Sequence, residues 1–343
     1  MERKRLEVIL ENFPNLKIAV VGDFFLDKWL EIDRSLDEPS VETNLIAYQV
    51  VAKRCYAGVA GTILSNLAAL ETGKLYAIGF LGNDGEGFEM TNILHKLGVN
   101  TDSLFTNDEV MTPTYTKPVF RMKNGLEETH RLDHKNWQRI PKDLEQKIID
   151  AIWEATPQVD ALIASDQLTY EGCGVLTPRV RDELAKVGTK YPNLILYADS
   201  RAFIKHFKNM IIKCNNIEVL KLFDIPEEKA SNQEEVKKCL LNLTKLTGRP
   251  VFITCGSKGV MVPDNKGDTV LIPGVPLPAD IKIDIVGAGD ACSSGVVSAL
   301  CSGASPDEAA FVGNLVAGNT IQVIGTTGTA TRSQVLALYN EYY

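Results

Sequence analysis

The stretch "DIVGAGDACSSG" (284–295) lies between a Pro-rich segment and an apolar, Ala/Ser-rich run with the character of a buried helix. Three small residues, Gly287, Ala288 and Gly289, lead straight into a carboxylate, Asp290, where that helix begins. Glycines at a helix mouth let backbone N–H groups crowd around an anion, and the helix dipole adds to the attraction. A carboxylate directly after such a cradle stands beside the bound anion, where Asp can take the proton of a hydroxyl attacking a phosphoryl group. The same residues also fit an acidic helix start whose glycines serve only the turn.

Outward from this point, a second apolar helix follows at about 306–323, and short strands precede at about 258–272. Further upstream, apolar runs read as buried strands: "KIAVVG" (17–22), "KLYAIGFLG" (74–82), "DALIAS" (160–165), "NLILYADS" (193–200), "MIIKCN" (210–215) and "PVFITCG" (250–256). Amphipathic stretches alternate with them, among them "DGEGFEMTNILHKLGV" (84–99), "TPRVRDELAKVG" (177–188) and "NQEEVKKCLLNLTKLTG" (232–248). Such alternation predicts an α/β fold with a mostly parallel sheet covered on both faces. The first strand is read as opening the first βα unit. Two segments differ: about 31–57 and about 112–133 alternate polar with β-branched and aromatic residues, and Asn124-Gly125 is a hairpin signal. Together they are expected to form a small β-lid inserted in one domain spanning 1–343.

Composition narrows the partners. Of 343 residues, 45% are hydrophobic and 23% charged, which suits a globular protein with a sizeable core. A net charge of -8 offers no footprint for nucleic acid or an anionic membrane, so a small molecule is the expected partner. The N-terminus is basic but no secretory-length apolar run follows, and no stretch approaches a membrane span. Seven scattered cysteines without a CxxC pair suggest neither a zinc site nor a disulfide framework, and a cytoplasmic location is expected. Four histidines in no ligand spacing make a histidine metal site unexpected, and both GxGxxG after the first strand and GxxxxGK[ST] are missing.

Other residues carry candidate chemistry. In "KCNNIE" (213–218), Asn215 and Glu218 are three apart and share a helix face, where they could orient water on Mg²⁺ or simply close a capping box. "VFITCGSKGV" (251–260) ends a strand in a Gly-bracketed turn, either a nucleotide loop or a plain hairpin. "VVGDFFLD" (20–27) sets Asp23 and Asp27 at the carboxyl end of the first strand, where open α/β sheets bind ligands and carboxylates suit sugar hydroxyls. "CYAGVAGTILSN" (55–66) is a small-residue helix entry that backbone and ligand could share. Lys117, Arg121 and Arg131 in the lid segment could neutralise a substrate phosphate, or be solvated charges.

Taken in order, GD-x-x-x-D, a Gly/Ala-rich helix entry, a two-part lid, N-x-x-E, T-x-G-x-x-G and GAGD make this chain resemble the ribokinase-like (PfkB) carbohydrate kinases over nearly its whole length. The resemblance implies a three-layer α/β/α sandwich with a β-lid, ATP and Mg²⁺ as cofactors, and transfer of the γ-phosphate to a sugar or sugar-phosphate hydroxyl. It implies Asp290 as base and the N–H groups of Gly287, Ala288 and Gly289 as anion hole. Asn215 and Glu218 match the motif that organises Mg²⁺, Glu218 through water. Thr254, Gly256 and Gly259 match the nucleotide loop, and Asn314 the residue near the purine. Asp27, with Asp23 beside it, matches the acid that holds sugar hydroxyls, and Gly58, Thr62, Lys117 and Arg131 fall in the sugar-binding part. "VVGDFFLDKWL" (20–30), "TPTYTKPVFRMKNGLEETHRLDHKN" (112–136) and "GNLVAGNTIQVIGTTGTAT" (313–331) are most similar to the heptose 7-phosphate kinases of bacterial ADP-heptose synthesis.

The chain departs from those kinases where they read GGAANVA: it has Gly58-Val59-Ala60-Gly61-Thr62-Ile63-Leu64. Their DPK is Asp199-Ser200-Arg201, and their RISPEAPVP-like segment is "RSLDEPSVETN" (34–44). The catalytic end is kept and the specificity end differs, so a kinase for another sugar or nucleoside, or a non-catalytic sugar-binding regulator, are the alternatives. With no nucleotidyltransferase part in 1–343, the expectation is the kinase half alone. The family also implies a homodimer through the lid, and allows a monovalent cation near "GTTGTAT" (325–331), for which the residues themselves give no support.

Overall fold

The computed structural model describes every residue except 124, 265, 266 and 279, so half of the Asn124-Gly125 hairpin signal lies outside the described residues. The chain opens with α1 (Arg3–Glu11), β1 (Lys17–Gly22) and β2 (Phe24–Ile32). Two short strands, β3 (Glu38–Pro39) and β4 (Ile46–Ala47), lead to β5 (Val50–Val59) and α2 (Ala60–Ala69). Then come β6 (Lys74–Gly82), α3 (Gly85–Lys96), β7 (Asn100–Asn107), β8 (Thr114–Met122), β9 (Gly125–Glu128) and β10 (Leu132–His134). The middle contains α4 (Lys142–Ala155), β11 (Ala161–Asp166), α5 (Pro178–Lys190), β12 (Ile195–Ser200), β13 (Ile211–Asn215) and α6 (Asn216–Leu222). The last third has α7 (Gln233–Thr247), β14 (Val251–Thr254), β15 (Val260–Pro263), β16 (Thr269–Ile272), α8 (Ala288–Cys301), α9 (Pro306–Thr320) and α10 (Arg332–Tyr342).

Nine strands form the central sheet in the order β16-β15-β14-β13-β12-β11-β1-β6-β7. Only β15 runs against its neighbours. The period-2 alternation of a strand decides which core each residue enters. In β1, Ile18 and Val20 join the side chains of α1, α2, α8, α9 and α10, such as Leu6, Leu64, Val297, Leu315 and Val335. Ala19 and Val21 face the other way, into Ile148, Leu184 and Leu240 of α4, α5 and α7. Two cores on either side of one sheet make the expected α/β/α sandwich. Of the sandwich's elements, the helices α1, α4 and α10 and the edge strand β7 were not read from the sequence.

A second sheet, β10-β8-β2-β5 with β9 on the outside of β8, stands over the carboxyl ends of the central strands as the lid. It starts earlier than the sequence suggested: β2 leaves β1 after Asp23 alone, so β1 opens onto a lid strand rather than a βα unit. Along β2 the ladder runs from Phe24 opposite Val59 to Ile32 opposite Val50, antiparallel, while β8 pairs on its other side in parallel. Phe24, Phe25, Leu26 and Asp27 are all buried at the base of the lid, which hides the in-out alternation that marks a half-exposed strand.

Candidate active site

The lid and the strand ends enclose a cleft of about 440 Å³. From the sheet side, Ser165, Asp166, Asp199 and Lys213 reach it, with Gln167, Arg201 and Glu218 just beyond the strand ends. From the lid come Asp27, Tyr115, Lys117 and Arg131, and from the β5–α2 turn Val59 and Thr62. Val286, Gly287, Gly289 and Asp290 close it at the start of α8, beside Thr327.

Gly287 caps α8 with φ 78°, a left-handed conformation, and a Cβ there would stand 2.4 Å from Thr327 Cγ2. Both conditions demand glycine. No side chain caps this helix. The N–H groups of Gly287, Gly289 and Asp290 have no acceptor among the described residues and stay free for an anion. Ala288 differs: its N–H donates to the Ile285 carbonyl at 3.2 Å, so it drops out of the expected anion hole.

Asp290 follows in the first turn. Burial, then the Asp199 and Asp27 carboxylates, push its pKa up to about 7 against the pull of Lys213. Lys213 is 6% exposed and sits directly opposite Asp199 on the neighbouring strand, its Nζ 2.7 Å from Asp199 Oδ2. Burial works against the ammonium charge, but Asp199, Tyr197 and Asp290 outweigh it and hold the lysine well above its usual range.

Asn215 and Glu218 form a full capping box on α6: Asn215 Oδ1 accepts from Glu218 N–H and Glu218 Oε2 accepts from Asn215 N–H, both at 2.8 Å. The capping-box alternative is therefore realised through Glu218 Oε2, and Glu218 also lines the cleft. Burial raises the Glu218 pKa, opposed by its bond from Asn215.

On the lid, Asp27 Oδ1 meets Lys117 Nζ at 3.2 Å, and that ammonium lies 4.9 Å from the Trp29 ring centre. Gly58, opposite Phe25 on β5, does not reach the cleft; it makes room, since a Cβ there would come 2.9 Å from Asp27 Oδ2. Arg131 lies over the Tyr115 ring at 4.4 Å and is tied to Asp133 at 2.6 Å. Thr62 Oγ1 donates to the Ala57 carbonyl at 3.2 Å, leaving the hydroxyl free to accept. Val59 takes φ 57°, ψ −114°, a conformation foreign to a β-branched residue, in the turn where the similar kinases have glycine.

Asp23 is a correction. Its carboxylate accepts the N–H groups of Gln167, Leu168 and Val175 at 2.9–3.0 Å, so it staples the β11–α5 connection and has no place among the cleft residues. Thr254, Gly256, Gly259 and Asn314 also stand outside the cleft. Thr254 pairs with Asn215 across β13 and β14, Gly256 and Gly259 turn the chain into β15, and Asn314 Nδ2 holds the carbonyls of Ile272 and Pro273. Lys213, Asp199, Arg201 and Asp166 were not among the sequence candidates. One signal was legible: a lysine inside the apolar run "MIIKCN" has no business in a buried strand without a partner.

A lidded anion cradle with a facing carboxylate, at the carboxyl ends of a parallel sheet, defines a phosphotransferase-type α/β protein. The chain belongs to the pfkB family of carbohydrate kinases, whose pattern matches residues 16–332, and is a sugar kinase in that sense. It is 28% identical over 321 residues to the bifunctional protein HldE of Desulfatibacillum aliphaticivorans, covering 92% of this chain and 61% of that protein. To the HldE of Citrifermentans bemidjiense it is 26% identical, covering 98% and 66%. The chain thus spans about three-fifths to two-thirds of the length of these curated relatives. Among solved structures, the Arabidopsis thaliana ribokinase complexed with ribose and ATP superposes with a TM-score of 0.68 at 19% identity, covering 94% of this chain and 98% of that one. The Escherichia coli phosphofructokinase-2 gives 0.68 at 13% identity, covering 95% and 99%. No helix among the described residues is long and apolar enough to cross a membrane.

Proposed function

We propose that residues 1–343 form one ATP-dependent kinase domain that transfers the γ-phosphate to a hydroxyl of a sugar or sugar phosphate. One observation carries this: the buried carboxylate of Asp290 stands in the same cleft as the free N–H groups at the start of α8 and the lid acid Asp27. Asp27, oriented by Lys117, accepts the sugar hydroxyls, and Asp290 takes the proton of the attacking one. As the new O–P bond forms and the bond to ADP breaks, the N–H groups of Gly287 and Gly289 meet the charge on the transferred oxygens. The lid keeps water out.

Mg²⁺ fits this donor set through water: the described residues hold no cluster of three or more ligating side chains, but Glu218 offers one unspent oxygen, and Mg²⁺ keeps much of its hydration. Bound there, the ion would neutralise phosphate charge. Thr254, Gly256, Gly259 and Asn314, which lie outside the cleft, belong to the nucleotide side in this reading.

Heptose 7-phosphate, phosphorylated at its anomeric hydroxyl, is the first acceptor to test, on the resemblance of 20–30, 112–136 and 313–331 and on the lid cations Lys117 and Arg131. Val59 favours a second acceptor, because it lines the cleft at the turn where the similar heptose kinases have glycine. The experiment is ATP turnover with Mg²⁺ against hexoses, pentoses, nucleosides and C7 sugar phosphates, with Asp290→Asn as blank. Turnover confined to one class assigns the acceptor; equal turnover by the blank overturns the mechanism. A homodimer through the exposed lid residues Leu45, Ile46, Tyr48 and Val50 completes the proposal, and light scattering at twice the chain mass would support it. A cytoplasmic location goes with this reading.

A further inference from the structure

Lys213 is a buried cation in the cleft. It projects from the middle of β13, deep in the sheet, where an ammonium loses its water and needs compensation. Its head also lies against the start of α8: a Cβ built on Gly289 would stand 2.8 Å from Nζ. The positive end of a helix is the wrong end for a cation, so Asp199 alone does not account for the placement. A lysine carries three N–H donors, and Asp199 Oδ2 is the one acceptor that Nζ has among the described residues. Two donors are left over in a nearly buried group that lines the cleft. Gly287 and Gly289, whose N–H groups have no acceptor among the described residues, line the same cleft.

Resting on the kinase reading, we propose that Lys213 is a catalytic residue whose ammonium donates to the non-bridging oxygens of the phosphoryl group in transit, with Asp199 as the positioning residue that aims it. The charge that develops on those oxygens is the anion that the crowded cation and the helix mouth both lack. A purely structural ion pair would predict otherwise: removing both charges together would leave a folded protein with its activity intact.

The test compares wild type with Lys213→Gln and with the double variant Asp199→Asn/Lys213→Met, which leaves no unpaired charge. Isothermal titration with Mg²⁺ reads the binding of ADP alone and of ADP with aluminium fluoride, a mimic of the group in transit that requires no sugar. The expected result is unchanged ADP affinity and a fluoride-dependent gain that falls by about 10²-fold in both variants, the worth of one such donor. Turnover on the best acceptor of wild type should fall by a similar factor in kcat with little change in the KM for ATP. A fluoride gain that is absent from wild type or equal in the double variant overturns the role of Lys213, as does failure of both variants to fold. Absence of ADP binding by wild type would instead overturn the kinase reading itself.

Discussion

Asp27 and Lys117 reach each other diagonally across two parallel lid strands, Oδ1 to Nζ 3.2 Å, and both open onto the cleft. The pair leaves Asp27 Oδ2 pointing toward Gly58, with nothing but glycine's hydrogen in the way. Asp27→Asn should raise the acceptor KM by about 10- to 100-fold, the worth of a charged hydrogen bond, and leave the KM for ATP unchanged. Steady-state kinetics with each substrate varied in turn checks this.

Gly58→Ala should act through the same carboxylate. The added methyl meets Asp27 Oδ2 at 2.9 Å and the Phe25 carbonyl at 3.1 Å, so the carboxylate must turn away. An acceptor defect resembling that of Asp27→Asn, about 10-fold in KM, is expected, with ATP binding intact. An unaltered acceptor KM would detach Asp27 from the sugar.

Asp290 makes the reaction and the stability of the fold respond to pH in opposite directions. Its carboxyl titrates near 3.8 when unperturbed and at about 7 in the folded protein. A base must be ionised, so kcat/KM should climb with pH and level off above about 7. The folded state binds this proton more tightly than the unfolded chain, so stability falls as pH rises from 3.8 toward 7 and stays reduced above it. Asp290→Asn should therefore raise Tm at pH 8, with the gain gone below about pH 4. Thermal melts of both proteins across that range decide it.

Asp23→Ala should cost stability rather than substrate affinity. Three N–H groups, two of them buried, lose their acceptor, a loss of about 3 kcal/mol in urea unfolding at about 1 kcal/mol each. The acceptor KM of the remaining folded protein should stay within about twofold; a large rise would return Asp23 to the sugar site.

Val59→Gly should stabilise the fold by about 1 kcal/mol through relief of the left-handed backbone, although it deletes a side chain. Opening the cleft there should also broaden the range of acceptors used. Urea unfolding and the substrate panel measure the two effects.

How much of this was legible depended on whether the signal was local. Strands buried on both faces, such as Lys17–Gly22 and Ala161–Asp166, announce themselves as apolar runs, and the glycines at 287 and 289 announce a helix mouth. The lid strand Phe24–Ile32 does not, because its first four residues are as buried as a core strand and merge with β1 in the text. Asp23 and Asp27 look alike in sequence, four residues apart; only the path of the chain sends one to backbone amides and the other to the cleft. Asp199 and Lys213 are 14 positions apart, and nothing short of the β12–β13 register reveals that they face each other. Ala288 falls out of the anion hole through a single turn bond that small-residue spacing does not encode.

Asp23 is held at five points: its carboxylate by three amides, its N–H by the Ser165 carbonyl at 3.0 Å, and its carbonyl by the Ala60 N–H at 3.2 Å. A residue so fastened is a fulcrum, and the lid strand begins on its far side. Whatever tilt the lid makes starts beyond that point and carries Asp27 with it, while Asp290 stays with the sandwich. In the kinase reading proposed above, gripping the acceptor and shutting the roof over it would be one stroke of the same lever, and letting go of the product that stroke reversed.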